Sequence, residues 1–351
     1  MRKARILSIF GDSRGTLRTE EVRDPVGTEV LVKTLFVSLC GSDIALYRGT
    51  YTGPHLYPVC PGHEWVGIVE AVGEKVTKFN PGDIVTGDCS IYCGRCALCK
   101  KDKNLCTGIK KFGITIPGAL REFFIQDAQY LYKAPSIPDL HLFALTEPLA
   151  VSAHAIHRVV KIDPSLRAGK ALIIGGGPIG LGCLLMAMHV FGFRHVELFD
   201  ILAPRVEKAI SLGAKKLTCS ILESASAINN DYKSLYARTY YDLILETSGA
   251  PAAFSQALEL LRPLGFVVSI GFVPLVEISP RVLTLKAGTV IGSIGGTGHF
   301  DVSLRFILEH PELVSKLITH TFTLEEWKQA FEIASDRKKA MKVLIKVGGV
   351  E

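Results

Sequence analysis

Ala171-Leu172-Ile173-Ile174-Gly175-Gly176-Gly177-Pro178-Ile179-Gly180 is an apolar run that breaks into three glycines, a proline, an isoleucine and a fourth glycine. Gly175, Gly177 and Gly180 fit G-x-G-x-x-G, with a strand-like run before them and a helical pattern, Ile179 to Phe191, behind. The first glycine permits a tight turn, the second lets backbone approach a pyrophosphate, and the third lets the helix pack closely. Pro178 and Ile179 belong to the same turn, and the helix start behind it favours negative charge. Asp200 ends the next strand-like run. A carboxylate there accepts hydrogen bonds from adenosine ribose hydroxyls and repels a 2′-phosphate, which favours NAD over NADP. Arg205 either lies over the adenine or is an exposed helix charge. The competing reading is a glycine turn in an unrelated doubly wound sheet.

From about Lys170, apolar strands alternate with helical stretches, the pattern of a parallel sheet covered by helices. The expected strands are Ala171 to Ile174, His195 to Phe199, Tyr241 to Leu245, Phe266 to Ile270 and Thr289 to Ile294, with a further helix at Pro204 to Leu212. Residues 223–238 are polar and the least constrained. The first third differs: Val30 to Val37, Trp65 to Val72, Asp83 to Thr86 and Ala119 to Ile125 are short β-patterns punctuated by glycine, which predicts a small barrel-like β domain. The tail from Glu325 carries a helical pattern and then a strand-like Lys342 to Val347, and its residues alone do not assign it to either domain. At 351 residues the chain exceeds one comfortable hydrophobic core, so two domains are expected.

The net charge of +6 is not gathered into a basic tail, and no nucleic-acid partner is read from it. No apolar run approaches the roughly 20 residues of a membrane helix. The N-terminus has a positive start, but its apolar run is too short for a signal peptide, and a first strand is the better reading. Five of nine cysteines lie between Cys89 and Cys106. Without an export signal, such clustering points to metal rather than disulfides, and the protein is expected in the cytoplasm.

Cys40 in C-G-S-D, His63 and Glu64 in G-H-E, and Glu147 in E-P-L-A offer thiolate, imidazole and carboxylate groups, a donor set that suits zinc. A catalytic zinc takes three protein ligands and keeps one position open. Cys93, Cys96, Cys99 and Cys106 lie in one short loop, and four thiolates leave no open position, so that site clamps a loop and performs no chemistry. Cys89 is a substitute ligand or a buried free thiol, as Cys60, Cys183 and Cys219 are read. Two zinc sites and a dinucleotide imply redox chemistry on an alcohol.

Gly62-His63-Glu64-x2-Gly67-x5-Gly73-x2-Val76, following Cys40-Gly41-Ser42-Asp43, resembles the signature of the zinc-containing medium-chain dehydrogenase/reductase family of alcohol, sorbitol and threonine dehydrogenases. The resemblance covers nearly the whole chain. It implies an α/β plus β fold: a GroES-like catalytic domain over residues 1–145, completed by 295–351, and a Rossmann NAD-binding domain over 146–294. Cys40 and His63 match the family's zinc ligands. Glu147 stands where alcohol dehydrogenases carry cysteine and polyol dehydrogenases glutamate. Glu64 matches a glutamate that is a direct ligand in some relatives and a supporting partner in others, so the choice between Glu64 and Glu147 stays open.

Ser42 matches the family's relay hydroxyl, the alternative being a helix cap. Asp43 is read as a support of the loop, and Tyr47 lines the pocket or packs in the core. The sequence departs from many relatives at Ala45, where a relay histidine often stands, and in the last interval of the four-cysteine loop, one residue shorter than usual. P-G-H-E-W, the G-D-x4-C-G-x-C-x2-C spacing and E-P-L-A-V also resemble dehydrogenases of sugars and aminocyclitols, 2-deoxy-scyllo-inosamine dehydrogenases among them. The expected reaction is reversible, zinc-dependent oxidation of a secondary hydroxyl on a polyhydroxylated substrate by NAD, in a homo-oligomer (dimer or tetramer). The alternatives are oxidation of an amino acid alcohol, as by threonine dehydrogenase, and a non-enzymatic dinucleotide-responsive binding protein.

Overall fold

The structure is a computed structural model that describes residues 2–218, 233, 236 and 240–348. Cys219 and, apart from Lys233 and Tyr236, the polar stretch 223–238 lie outside the described residues. The chain divides into two compact units, one of Met1–Ala150 with Gly295–Glu351 and one of Val151–Ile294.

The first unit is built on β-strands. A hairpin pairs Arg2–Gly11 with Arg14–Val22. A larger sheet runs in the order Ile318–Thr323, Lys342–Lys346, Glu29–Ser38, Glu64–Val72, Ile84–Gly87 and Leu131–Lys133, with Phe123–Asp127 also paired to Glu29–Ser38. Val30, Val32, Val37, Trp65, Val69, Phe124, Val343 and Ile345 form its core with Phe331 of the helix Trp327–Ser335. The tail therefore packs into this unit. The antiparallel register places Ser38 opposite Glu64 and Val37 opposite Trp65. Leu39 and Cys40 continue from one strand just where His63 leads into the other, which brings two distant motifs together.

Two expectations shift here. The strand expected from Ala119 begins only at Phe123. Backbone at 119–120 is already committed, since Ala119 N donates to Gly62 O, Leu120 N to Pro61 O, and Leu7 N to Leu120 O. The expected strand at Asp83 begins at Ile84 and ends at Gly87.

The second unit holds a five-stranded parallel sheet ordered His195–Phe199, Lys170–Ile174, Tyr241–Glu246, Leu261–Ser269, Thr289–Gly292. Its central strands are apolar along both faces, with Leu172, Ile244 and Val267 closed to solvent, as a sheet covered on two sides requires. The order reverses beside Lys170–Ile174, and the glycine turn follows that strand, at the switch point where such sheets receive ligands. The α-helix behind the turn covers Pro178–Leu185 and passes into a π-turn at Met186–Val190, where Phe191 N donates to Met186 O five residues back. The uniform helix expected to Phe191 thus gains one residue in its last turn.

Candidate active site and metal centres

The sulfur, ring and carboxylate donors of Cys40, His63 and Glu64 lie within 4.8 Å of one another, with His63 and Glu64 buried. Asp43 ties the two loops that carry them. Its Oδ2 accepts from Cys40 N at 2.9 Å and its Oδ1 from Gly62 N at 3.0 Å, while His63 Nδ1 stands 3.5 Å from Oδ1. That contact directs Nδ1 away and leaves Nε2 for a metal. Lys342 ion-pairs with Glu64 Oε2, whereas the buried Oε1 has no hydrogen-bond partner. A buried carboxylate oxygen without a partner is costly, and an oxygen so placed among thiolate and imidazole donors fits zinc.

Glu147, in the first turn of the helix Thr146–Val160, is buried but falls outside that group of donors. Its Oε1 accepts from the Cys89 thiol at 3.2 Å. Burial and, after it, the neighbouring Glu147 charge push that thiol up to about 12, so it remains a donor. Cys89 is therefore no substitute ligand of the four-cysteine loop; it holds Glu147. Cys60 and Cys183 are buried thiols also pushed up to about 12 by burial.

Ser42 Oγ donates to Cys40 Sγ at 3.3 Å. The capping of the helix Gly41–Arg48 falls to Asp43, which accepts from Cys40 N, and not to Ser42. Tyr47, partly buried, packs edge-on against Trp327 and Phe331, at 5.9 and 5.0 Å, and so lies against the core.

Cys93, Cys96, Cys99 and Cys106 place their four sulfurs within 4.8 Å of one another, with Cys93 and Cys99 4.0 Å apart. Bonds of about 2.3 Å in a tetrahedron separate sulfurs by about 3.8 Å, so the set fits zinc despite its shortened last interval. Backbone amides help: Cys93 N points to Cys106 Sγ and Cys99 N to Cys96 Sγ. Amides of Thr107 and Cys99 pull Cys96 down to about 5, toward the thiolate that a metal needs. Arg95, Lys100, Lys101, Lys103, Lys110 and Lys111 lie in or beside the loop in sequence and are opposite in sign to four thiolates.

In the second unit, Gly175 takes φ +105°, and a Cβ on Gly180 would stand 1.8 Å from Gly175 O. Gly177 precedes the helix, and Pro178 and Ile179 open it, so its free amides face the turn. Asp200 Oδ2 accepts from Gly176 N at 2.7 Å and Oδ1 from Leu202 N at 2.8 Å, while Arg205 Nη1 lies 3.6 Å from Asp200. Thr247 Oγ1 also braces the turn by donating to Ile174 O and Gly175 O. Neither Thr247 nor Lys342 was singled out from the sequence. For Lys342 the only signal was a lysine opening an apolar strand.

Residues 27–136 match the alcohol dehydrogenase GroES-like domain and residues 178–309 the zinc-binding dehydrogenase domain. A sorbitol dehydrogenase from Halalkalibacterium halodurans is 30% identical over 98% of both chains. The chain belongs to the zinc-containing medium-chain dehydrogenase family. An L-threonine 3-dehydrogenase from Idiomarina loihiensis is likewise 30% identical, over 87% of this chain and 88% of that one. A crystal structure of an alcohol dehydrogenase from Escherichia coli CFT073 complexed with NADH superposes with a TM-score of 0.85 at 26% identity, over 99% and 100% of the two chains. As a medium-chain dehydrogenase, this protein acts on CH–OH groups with NAD(P) and zinc, with a catalytic Cys-His-Glu site and a structural four-cysteine site. No helix among its described residues is long and apolar enough to cross a membrane.

Proposed function

We propose that this dehydrogenase reversibly oxidises a secondary hydroxyl of a polyol, sugar or aminocyclitol to the ketone, with NAD as acceptor. The observation that carries the reading is the meeting of Cys40, His63 and the unpartnered Glu64 Oε1, with a second buried carboxylate, Glu147, supplied by E-P-L-A. When bound, zinc supplies a Lewis acid that polarises the substrate oxygen, and nicotinamide supplies the hydride acceptor. Cys40 Sγ, His63 Nε2 and Glu64 Oε1 hold the metal and leave a position for substrate. Glu147 keeps one oxygen on Cys89 and offers the other to a further substrate hydroxyl. Ser42 relays the hydroxyl proton, accepting it as its own proton passes onward. Ala45 offers no next acceptor, so the onward path runs through water or the cofactor ribose. Asp200 receives the adenosine ribose and sets the preference for NAD, with Arg205 beside it.

The first unit is the catalytic domain in this reading and the second the NAD-binding domain. The edge strand Thr289–Gly292, with exposed Val290, Phe272 and Leu275 in the same unit, supports a homo-oligomer, which light scattering reads directly. Eight free cysteines among the described residues, five of them needed as thiolates at the two metal sites, support a reducing compartment, the cytoplasm. A second reading, oxidation of threonine, is favoured by the 30% identity to proteins of that name. The deciding assay follows NADH absorbance over linear polyols, sugars, inositols, aminocyclitols, threonine and simple alcohols, with NADP alongside and a chelator control. Turnover confined to threonine rejects the polyol assignment. Cys40→Ala and His63→Ala are expected to abolish turnover while NADH binding persists; activity in both rejects the metal assignment.

A further inference from the structure

Asn104 sits in the turn Lys103–Leu105, between the third and fourth cysteines of the structural loop, and is 3% exposed. Its side chain reaches across 193 residues of chain. Oδ1 accepts from Thr297 N at 3.1 Å, and Nδ2 donates to Thr297 O at 3.5 Å and to Asp102 Oδ1 at 2.9 Å. The acceptor at Asp102 and the donor at Thr297 N together fix which end of the amide faces which partner.

Gly295 is fitted to the same group. It takes φ +72°, and a Cβ there would lie 2.1 Å from Asn104 Oδ1. Gly295 is also the residue at which the chain returns to the first unit from the second. Three residues after Thr297 the helix Phe300–Glu309 starts, and Phe300 stacks on Tyr132 with ring centres 4.6 Å apart. The return of the chain is thus tied to the loop through the Asn104 amide before the helix begins.

The loop that presents Asn104 has little core of its own: Tyr92, Cys99, Cys106 and Tyr130 are its buried cluster, and two of these are sulfur donors. Its shape therefore depends on the four sulfurs being held together, as in small metal-clamped loops generally. We infer that Asn104 is a latch: metal in the four-cysteine site, beyond clamping its own loop, fixes residues 295–297 where the chain re-enters the catalytic unit. Coupling of this kind is reciprocal, so strain at Gly295 loosens the metal as loss of the metal loosens Gly295. The inference rests on zinc occupying the four-cysteine site, which metal analysis checks separately.

The test uses the zinc-loaded full chain and follows hydrogen exchange of residues 295–300 together with zinc release from the four-cysteine loop to a chromogenic chelator. Asn104→Ala with its zinc retained is expected to speed exchange at 295–300 roughly tenfold, the scale of one buried hydrogen bond, and to leave the strand Lys170–Ile174 unchanged. Gly295→Ala, which leaves the loop sequence intact, is expected to speed zinc release. In the Asn104→Ala background, where the two nearest atoms facing the new methyl, Oδ1 and Cγ, are gone, Gly295→Ala should cost less than it does alone. Unchanged exchange at 295–300 in Asn104→Ala, unchanged zinc release in Gly295→Ala, or strict additivity of the two substitutions overturns the latch.

Discussion

Lys342, the first residue of the last strand, ion-pairs with Glu64 across 278 residues of chain, and the two side chains are only 2% and 0% exposed. The lysine also lies 3.4 Å from Leu39 O, beside the zinc ligand Cys40. One ammonium thus neutralises a buried carboxylate oxygen and touches the loop of a second ligand. It leaves the other oxygen of Glu64 for the metal. The tail is therefore part of the catalytic site as well as of the sheet.

Replacing Lys342 by Met keeps the length and the apolar stem but, in the metal-free protein, leaves a buried carboxylate without its cation. Breaking one side of a buried pair costs on the order of 3 kcal/mol. Lys342→Met is expected to lower the denaturant midpoint by a corresponding amount, with the slope unchanged. A midpoint equal to that of the wild type would show that Glu64 is neutralised by some other group.

Two glycines of the dinucleotide turn are expected to fail in different ways. A Cβ on Gly180 meets Gly175 O at 1.8 Å, and backbone cannot step aside, so Gly180→Ala loses stability by about 1–3 kcal/mol or more. A Cβ on Gly177 meets nothing closer than Arg205 Nη1 at 3.7 Å, so Gly177→Ala is expected to fold normally. Its methyl instead occupies the space through which backbone approaches the pyrophosphate. Thermal midpoints and NADH fluorescence titrations separate the two effects, and tight NADH binding by Gly177→Ala would remove that glycine from the cofactor site.

What was legible in the sequence was local. The glycine turn, the four cysteines, C-G-S-D and G-H-E are each complete within a few residues, and together they indicated a β domain, a parallel dinucleotide-binding sheet and two zinc sites. The choice between Glu64 and Glu147 was not local. It depends on the register that sets Glu64 opposite Ser38, two residues before Cys40, and on a thiol 58 residues away that holds Glu147. Lys342 with Glu64, and Asn104 with Thr297, are pairings of the same long-range kind, and no spacing rule reaches them. The π-turn at Met186–Val190 was hidden for another reason: its residues keep a helical hydrophobic pattern while the backbone gains one residue per turn.

Under the proposed function Asp200 carries two duties that one substitution can separate. Its carboxylate fastens the turn through Gly176 N and Leu202 N, and its charge is what a 2′-phosphate would meet. Asp200→Ser loosens the turn for NAD and NADP alike, so the first duty largely cancels in the ratio of their kcat/KM values. The second does not cancel, because serine no longer repels the phosphate and Arg205, now 3.6 Å from the lost carboxylate, gains an anion to pair with. Loss of hydrogen bonds from the ribose hydroxyls to a charged acceptor, at roughly 1.5–3 kcal/mol each, is expected to shift the ratio toward NADP by about tenfold or more. Kinetics of the wild type and Asp200→Ser with both cofactors on one substrate measure it. An unchanged ratio would strip Asp200 of its ribose role and leave it only as a fastener of the turn.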